Sequence, residues 1–248
     1  MNKAFVNKFC SKFGFEIHGN GFIQSLQKSS FKDDAFIKQK EIAGSNASVI
    51  FDVGANVGDI SLQYNTIFPK ATVYAFEPFP DSFNALQQKM DGIKNVVLYQ
   101  LAIGENEEKK KFYVNYNADT NSLLEPTKIG LSSDKQVANK SEIEVDVATI
   151  DKFCAKNNIN QIDILKLDIQ GGELAALKGA KDMLAANKIT IIYTEAYLRE
   201  QYVQQPLLFD IAIYLQQFGY AMQDIYNPIY GKGSLAWCDA IFILKKSI

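Results

Sequence analysis

The stretch VIFDVGANVGDISL, Val49–Leu62, limits the fold more than any other part of the chain. An apolar, β-branched run stops at Gly54, a second glycine follows at Gly58, and the pattern then turns helical. That is the build of a buried strand entering a tight turn and then a helix. The same alternation continues downstream. ATVYAFEP, NVVLYQLAI, IDILKLDI, ITIIYTEA, YAMQDIY and WCDAIFILKK read as six further strands. PDSFNALQQKM, with Asp81 or Ser82 near its cap, ELAALKGAKDMLA and PLLFDIAIYLQQFG, closed by Gly219, read as helices. Buried strands alternating with amphipathic helices specify an α/β fold, a mostly parallel seven-stranded sheet with helices on both faces.

Two segments depart from this pattern. KKKFYVNY and EIEVDVAT alternate polar and apolar residues, as half-exposed strands do, and predict an inserted β-hairpin between the third and fourth strands. Its connection, NADTNSLLEPTKIGLSSDKQVANKS, reads as a long surface loop of the kind that often carries function. Residues 1–45 read as a separate N-terminal helical extension around GFEIHGNGF, a lid, the arm of a homodimer or a cover for a sheet edge. Residues 46–248 form the main domain.

Composition narrows the partners. The chain has 248 residues, is 47% hydrophobic and carries a net charge of −2, which is ordinary for a soluble globular protein. No basic excess points to nucleic acid, and the longest basic run is Lys109-Lys110-Lys111. The cysteines Cys10, Cys154 and Cys238 are far apart, lack C-x-x-C pairing, and read as reduced thiols of a cytoplasmic protein. The segment MNKAFVNKFCSKFGFEI carries lysines throughout, so no secretory signal is expected there, and its Phe5, Phe9 and Phe13 read as a packing stripe. No apolar run is long enough to span a bilayer as a helix.

The first turn is the prime place for a ligand, because such sheets bind beyond the carboxyl ends of their strands. A dinucleotide site would want G-x-G-x-x-G there. This chain has Gly54-Ala-Asn-Val-Gly58, with Asn56 in the middle glycine's place and Asp52 just before the turn. An acid in a partly dry cleft works against phosphate. That sets aside an NAD-dependent oxidoreductase and favours a ligand with a cation and no phosphate, of which S-adenosylmethionine is the example. Gly54 and Gly58 would let its methionine part lie against the backbone. Asp52 or a bridging water would take the ammonium, and Asn56, alongside amides at the helix start, the carboxylate. Glu77 ends the second strand, where a carboxylate can accept from both ribose hydroxyls. Phe79 would flank the adenine, with Leu101, Ala102 and Ile103 along its edge.

FDVGANVGDISL, VYAFEPFPDSFNAL, NVVLYQLAIGE, NSLLEP, VDVATIDKF and IDILKLDIQGGELAALKGA together resemble the successive motifs of the FkbM-family methyltransferases. The tail FGYAMQDIYNPIYGKGSLAWCDAIFIL is similar as well, so the likeness runs from about Val49 to Leu244. The resemblance implies a class I methyltransferase (Rossmann-like) fold, S-adenosylmethionine as methyl donor, and O-methylation of a sugar, polysaccharide or natural product. It implies cofactor roles for Asp52, Gly54, Asn56, Gly58 and Glu77. The family commonly has an acid where this chain has Gln170, while Asp168 and Glu173 remain.

Methyl transfer to a hydroxyl needs in-line positioning and a base. Asp168 and Glu195, at the ends of the fourth and fifth strands, are the candidates, and Asp168 would also face the cofactor. The sole histidine, His18, is a third candidate should the extension fold over the cleft. A Mg²⁺ ion held by the two carboxylates is the weaker reading, since no third ligand is evident. Lys166, inside an apolar strand, is expected to pair with an acid, and Glu173 to complement a helix dipole. Asn121 and Ser122 in the long loop, and Tyr197 after the fifth strand with Tyr193 and Tyr202, are candidates for substrate contact; Asp239 is a candidate rim residue. The competing reading is a catalytically silent methyltransferase fold that only binds, motivated by Gln170.

Overall fold

A computed structural model of the chain describes residues 34–127, 138–231 and 233–245. The chain divides into two compact units, Met1–Lys38 and Gln39–Ile248. The second holds a seven-stranded sheet of β1 (Val49–Val53), β2 (Thr72–Phe76), β3 (Val96–Tyr99), β7 (Ile162–Leu167), β8 (Ile189–Tyr197), β9 (Tyr220–Gly231) and β10 (Ser234–Leu244). A smaller sheet contains β4 (Ala102–Ile103), β5 (Glu108–Asn115) and β6 (Asn139–Ala148). The described helices are α1 (Ala35–Ala43), α2 (Asp59–Ile67), α3 (Pro80–Lys89), α4 (Ile150–Lys156), α5 (Glu173–Lys178), α6 (Lys181–Ala185) and α7 (Leu208–Gln216). None of them is long and apolar enough to cross a membrane.

The main sheet runs β3-β2-β1-β7-β8-β10-β9, parallel except for β10, which is antiparallel to both neighbours. Counted along this sheet alone the order is 3-2-1-4-5-7-6, the class I methyltransferase order. The strand order reverses between β1 and β7, which places a cleft at their carboxyl ends.

Strand periodicity gives the two faces of the sheet different characters. Phe51, Val53, Leu165, Leu167 and Ile192 join one apolar core with Phe153, Leu177, Leu184, Ile211 and Leu215. The alternate positions carry a buried polar row. Asp52 and Lys166 are register partners on neighbouring strands, and Lys166 is in turn opposite Tyr193. Asp52 is fully buried and Lys166 nearly so, with Lys166 Nζ 3.0 Å from Asp52 Oδ1. The other Asp52 oxygen accepts the Ser61 hydroxyl of α2 at 2.5 Å. Burial works against the lysine's charge, but Asp52 and then Asp168 outweigh it and hold its pKa above the usual value.

Several elements differ from the sequence expectation. NVVLYQLAI is two strands, because Ala102–Ile103 leaves the main sheet to pair with β6. The inserted hairpin is thereby a three-stranded sheet. Its alternating pattern buries Phe112, Val114, Val145 and Val147 with Ala102 in a second core. ELAALKGAKDMLA is two short helices, not one. Gly179 packs so tightly on Gly104 that a Cβ there would lie 2.1 Å from the Gly104 carbonyl oxygen. The cap of α3 is Phe79, with Pro80 as first helical residue, so Asp81 and Ser82 lie inside the first turn. The first part of the long connection is packed rather than solvated. It forms a 3₁₀ turn over Ala118–Thr120 and buries Asn121 and Ser122, the latter bridged to Tyr113.

Removing one partner of a buried pair strands the other charge, at a cost of about 3–5 kcal/mol. Asp52→Ala is therefore expected to lower stability in urea denaturation by that amount. Asp52→Leu combined with Lys166→Met should recover at least half of the loss, because both charges leave together.

Candidate active site

A cavity of about 550 Å³ opens at the carboxyl ends of β1, β2 and β7. Val53, Gly54, Ala55 and Asn56 form its floor at the first turn. Glu77 and Pro78 come from the end of β2, Leu101 to Ile103 from the entry to the small sheet, and Asp119 and Asn121 from the insertion. Lys166, Asp168, Gln170 and Glu195 complete it.

The turn is built by close approach. Gly54 and Ala55 both donate their amides to the Phe76 carbonyl at 3.0 Å, which ties the turn to β2. Gly54 has a φ of 78°, and a Cβ there would lie 1.9 Å from the Asp168 carbonyl oxygen. Asn56 is also left-handed, with a φ of 46°. Its amide donates to Glu77 Oε2 at 2.9 Å, and the Phe79 amide donates to Glu77 Oε1 at 2.9 Å. Glu77 is thus held in place with one acceptor site on each oxygen used, and a carboxylate has more than two. Burial pushes its carboxyl up to about 7, against the stabilising effect of those two amides.

The catalytic candidates converge on one side chain. Gln170 Nε2 donates to Asp168 Oδ1 at 3.2 Å and to Glu195 Oε2 at 2.8 Å. Gln170 Oε1 accepts from Tyr197 at 2.9 Å and from Tyr202 at 3.1 Å. Burial, then the Asp168 and Glu173 charges, hold the Glu195 carboxyl well above the usual carboxylate range. Glu173 lies beneath, with Oε1 accepting from the Ile169 and Gly171 amides, and burial pushes it up to about 7. It braces this loop as well as standing in the first turn of α5.

Several predicted contacts fall elsewhere. Asp52 is not among the lining residues; its carboxylate is fully buried and taken by Lys166 and Ser61. Gly58 is also off the wall. A Cβ there would meet Leu86 Cδ1 at 2.6 Å and Met90 Cε at 2.8 Å, so this glycine serves the packing of α2 on α3. Phe79 packs on the small sheet's core rather than facing the cavity. Asn56 does line the cavity, with one Nδ2 hydrogen donated to Asp119 Oδ1 at 2.6 Å and a second donor on the same nitrogen. Ser122 is turned inward, with its hydroxyl donating to the Gln170 carbonyl at 2.7 Å. Tyr197 does not line the cavity: it is buried, its hydroxyl on Gln170, and Tyr193 donates to Asp239 Oδ2 at 2.7 Å. His18 and Cys10 lie outside the described residues.

Asn121 does line the cavity. Only 8% of it is exposed, its Oδ1 accepts the Asn115 amide, and its buried Nδ2 has no protein hydrogen-bond partner among the described residues. Such a donor is costly unless a ligand or water meets it. Asp119 was not anticipated. Its contact with Asn56 spans 63 residues and depends on the insertion folding over the first turn, so no local pattern announces it.

Glu77 and Glu173 have folded pKa values of about 7 against an ordinary 4.5. The folded state therefore binds more protons than the unfolded state between these values. The resulting stability is full below pH about 4.5 and lost as pH rises through about 7, by up to about 3 kcal/mol per group. Urea midpoints should fall from pH 5 to pH 8, and Glu77→Gln should flatten the slope. A rise over that range would contradict the assignment.

A family model described as the methyltransferase FkbM domain matches residues 52–222. The 2-O-methyltransferase NoeI of Sinorhizobium fredii is 28% identical over 165 residues, 63% of this chain and 66% of that protein. The hexuronic acid methyltransferase AglP of Haloferax volcanii is 26% identical over 148 residues, 60% of this chain and 56% of that protein. Among solved structures, magnesium protoporphyrin IX methyltransferase from Synechocystis, with bound SAM, aligns with a TM-score of 0.48 at 12% identity, covering 98% of this chain and 97% of that one. The chain thus spans 66% and 56% of the length of these two curated relatives. With the motif series, the sheet order and a family match across most of its length, the chain belongs to the FkbM methyltransferase family.

Proposed function

We propose that the chain is an S-adenosylmethionine-dependent O-methyltransferase acting on a hydroxyl of a sugar, polysaccharide or natural product, with residues 46–248 as the catalytic domain. The observation that carries this reading is the Glu77 carboxylate, fixed by two amides on the cavity wall at the end of β2. A ribose diol fits its remaining acceptor sites. Gly54 lets the first turn close onto the Asp168 backbone at the cavity floor, and Asn121 Nδ2 is a donor in search of an acceptor. The charge of the cavity supports the same ligand. Asp119 and Asp168 line it beside Glu77 and Glu195, whose carboxyls burial raises, while Asp59 is paired with Lys89 and Lys166 with Asp52. That environment favours a sulfonium and disfavours a pyrophosphate.

When bound, S-adenosylmethionine supplies a methyl group on a positively charged sulfur that can leave as a neutral thioether. The protein's part is to hold the acceptor hydroxyl in line and to take its proton. Asp168, with 43% of its side chain exposed, is the base in this reading. Glu195, held toward its protonated form, orients the acceptor by hydrogen bonding. A small-molecule or glycan acceptor suits a cleft of this volume.

Calorimetry with S-adenosylhomocysteine is the test. Binding should weaken about 10- to 100-fold in Glu77→Ala, the loss of one or two hydrogen bonds to a charged group. Asp168→Asn should retain binding and lose methyl transfer in a panel of sugar acceptors. Absence of binding by the unaltered protein, or an unchanged Kd in Glu77→Ala, would overturn the reading.

A further inference from the structure

Two carboxylates pointing into one cavity repel each other. Asp168 and Glu195 face this problem, which is eased by the Glu195 carboxyl being held toward its protonated form and is met only in part by the nearby lysine. Lys166 lies 3.7 Å from Asp168 Oδ2 but is committed to Asp52 at 3.0 Å and to the Gly54 carbonyl at 2.9 Å. Glu173 from α5 and Asp239 from β10 add further negative charge. Between the two carboxylates stands the Gln170 amide nitrogen, 3.2 Å from one and 2.8 Å from the other.

The amide is best satisfied this way round. Its oxygen accepts from the Tyr197 hydroxyl and from that of Tyr202, which is shared with the Thr120 carbonyl. Turned over, it would set an oxygen against the Asp168 carboxylate and take away the acceptor that the two hydroxyls share. The backbone is equally constrained. Gln170 has a left-handed φ of 54°, its carbonyl is held by Ser122, and Gly171 follows at 96°. A residue in that conformation persists because its surroundings demand it.

We propose that Gln170 is the positioning residue of this site, its amide nitrogen serving as an uncharged substitute for a bridging cation so that Asp168 and Glu195 work as a metal-free pair. The inference rests on the reading that these two carboxylates face the acceptor hydroxyl. A divalent ion shared by both would need the space the nitrogen fills, and an amide nitrogen is no ligand for a hard cation. A glutamate at 170 would replace the shared donor with a third acceptor. Three carboxylates would then converge, an oxygen cluster suited to Mg²⁺ or Mn²⁺.

The test is titration with Mn²⁺ alone, followed by electron paramagnetic resonance, on the full chain and on Gln170→Glu. The full chain should show no site that Asp168→Asn removes. Gln170→Glu should gain one, at least about tenfold tighter than any site of the unaltered protein, and lose it on adding Asp168→Asn. A second measurement uses Gln170→Leu, which keeps the charge and removes the donor. Carboxyl ¹³C resonances should show Glu195 titrating at higher pH than in the unaltered chain, while S-adenosylhomocysteine binds within about threefold. A Mn²⁺ site in the unaltered protein that depends on Asp168, no gain in Gln170→Glu, or an unmoved Glu195 titration would overturn the proposal. Failure of S-adenosylhomocysteine to bind the unaltered chain would instead fall on the functional reading, and the Mn²⁺ result would still decide the role of Gln170.

Discussion

The arrangement depends on an ion pair inside the sheet. Asp52 and Lys166 face each other across β1 and β7, the two strands between which the order reverses. Such a pair adds little stability over an apolar pair of the same size, yet it tolerates no change in register. A slip of either strand by one residue would turn its charge into the apolar core on the other face and leave the partner charge unpaired. The same lysine reaches the Gly54 carbonyl, and the same aspartate holds α2 through Ser61. One interaction therefore fixes the strand register, the first turn and the helix that follows, and these form the floor of the cavity.

Charge in the cleft is organised around that pair. Because Lys166 is bound to Asp52 and to the Gly54 carbonyl, it meets the wall carboxylates only at a distance, 3.7 Å from Asp168. Each is restrained by neutral donors instead. Backbone amides hold Glu77, and a side-chain amide holds Asp168 and Glu195. A cavity built this way keeps a negative potential without letting its acids move together. It suits a cationic ligand, and it keeps oxygen acceptors aimed at hydroxyl groups.

Much of this was legible in the sequence. The strands are continuous apolar runs bounded by Gly or Pro, so the doubly wound sheet and its cleft followed directly. Glu77 was legible because a strand end next to the first turn has only one place to be. Asp52 reads as a ligand contact because it stands just before the turn, but its partners Lys166 and Ser61 come from β7 and α2 and are not announced by VIFDV. Lys166 held the missing information, since a lysine in an apolar strand requires a buried acid. Gly58 and Phe79 look like ligand contacts by spacing, but their surroundings come from α3 and the small sheet, which are distant in sequence or fold over later. The split of NVVLYQLAI was hidden for a similar reason: Ala102–Ile103 pairs with a strand more than 40 residues away. Gln170 was visible as a departure from the family pattern, while three of its four partners were not, because Glu195 and Tyr197 come from β8 and Tyr202 from the segment after it.

The most direct test is a structure of the chain bound to S-adenosylhomocysteine. The ribose hydroxyls should lie within hydrogen-bonding distance of Glu77, the homocysteine part should cross Gly54, and Asp52 should remain on Lys166. A ligand whose ammonium had drawn Asp52 away from Lys166 into the cavity, or whose ribose lay away from Glu77, would contradict the account.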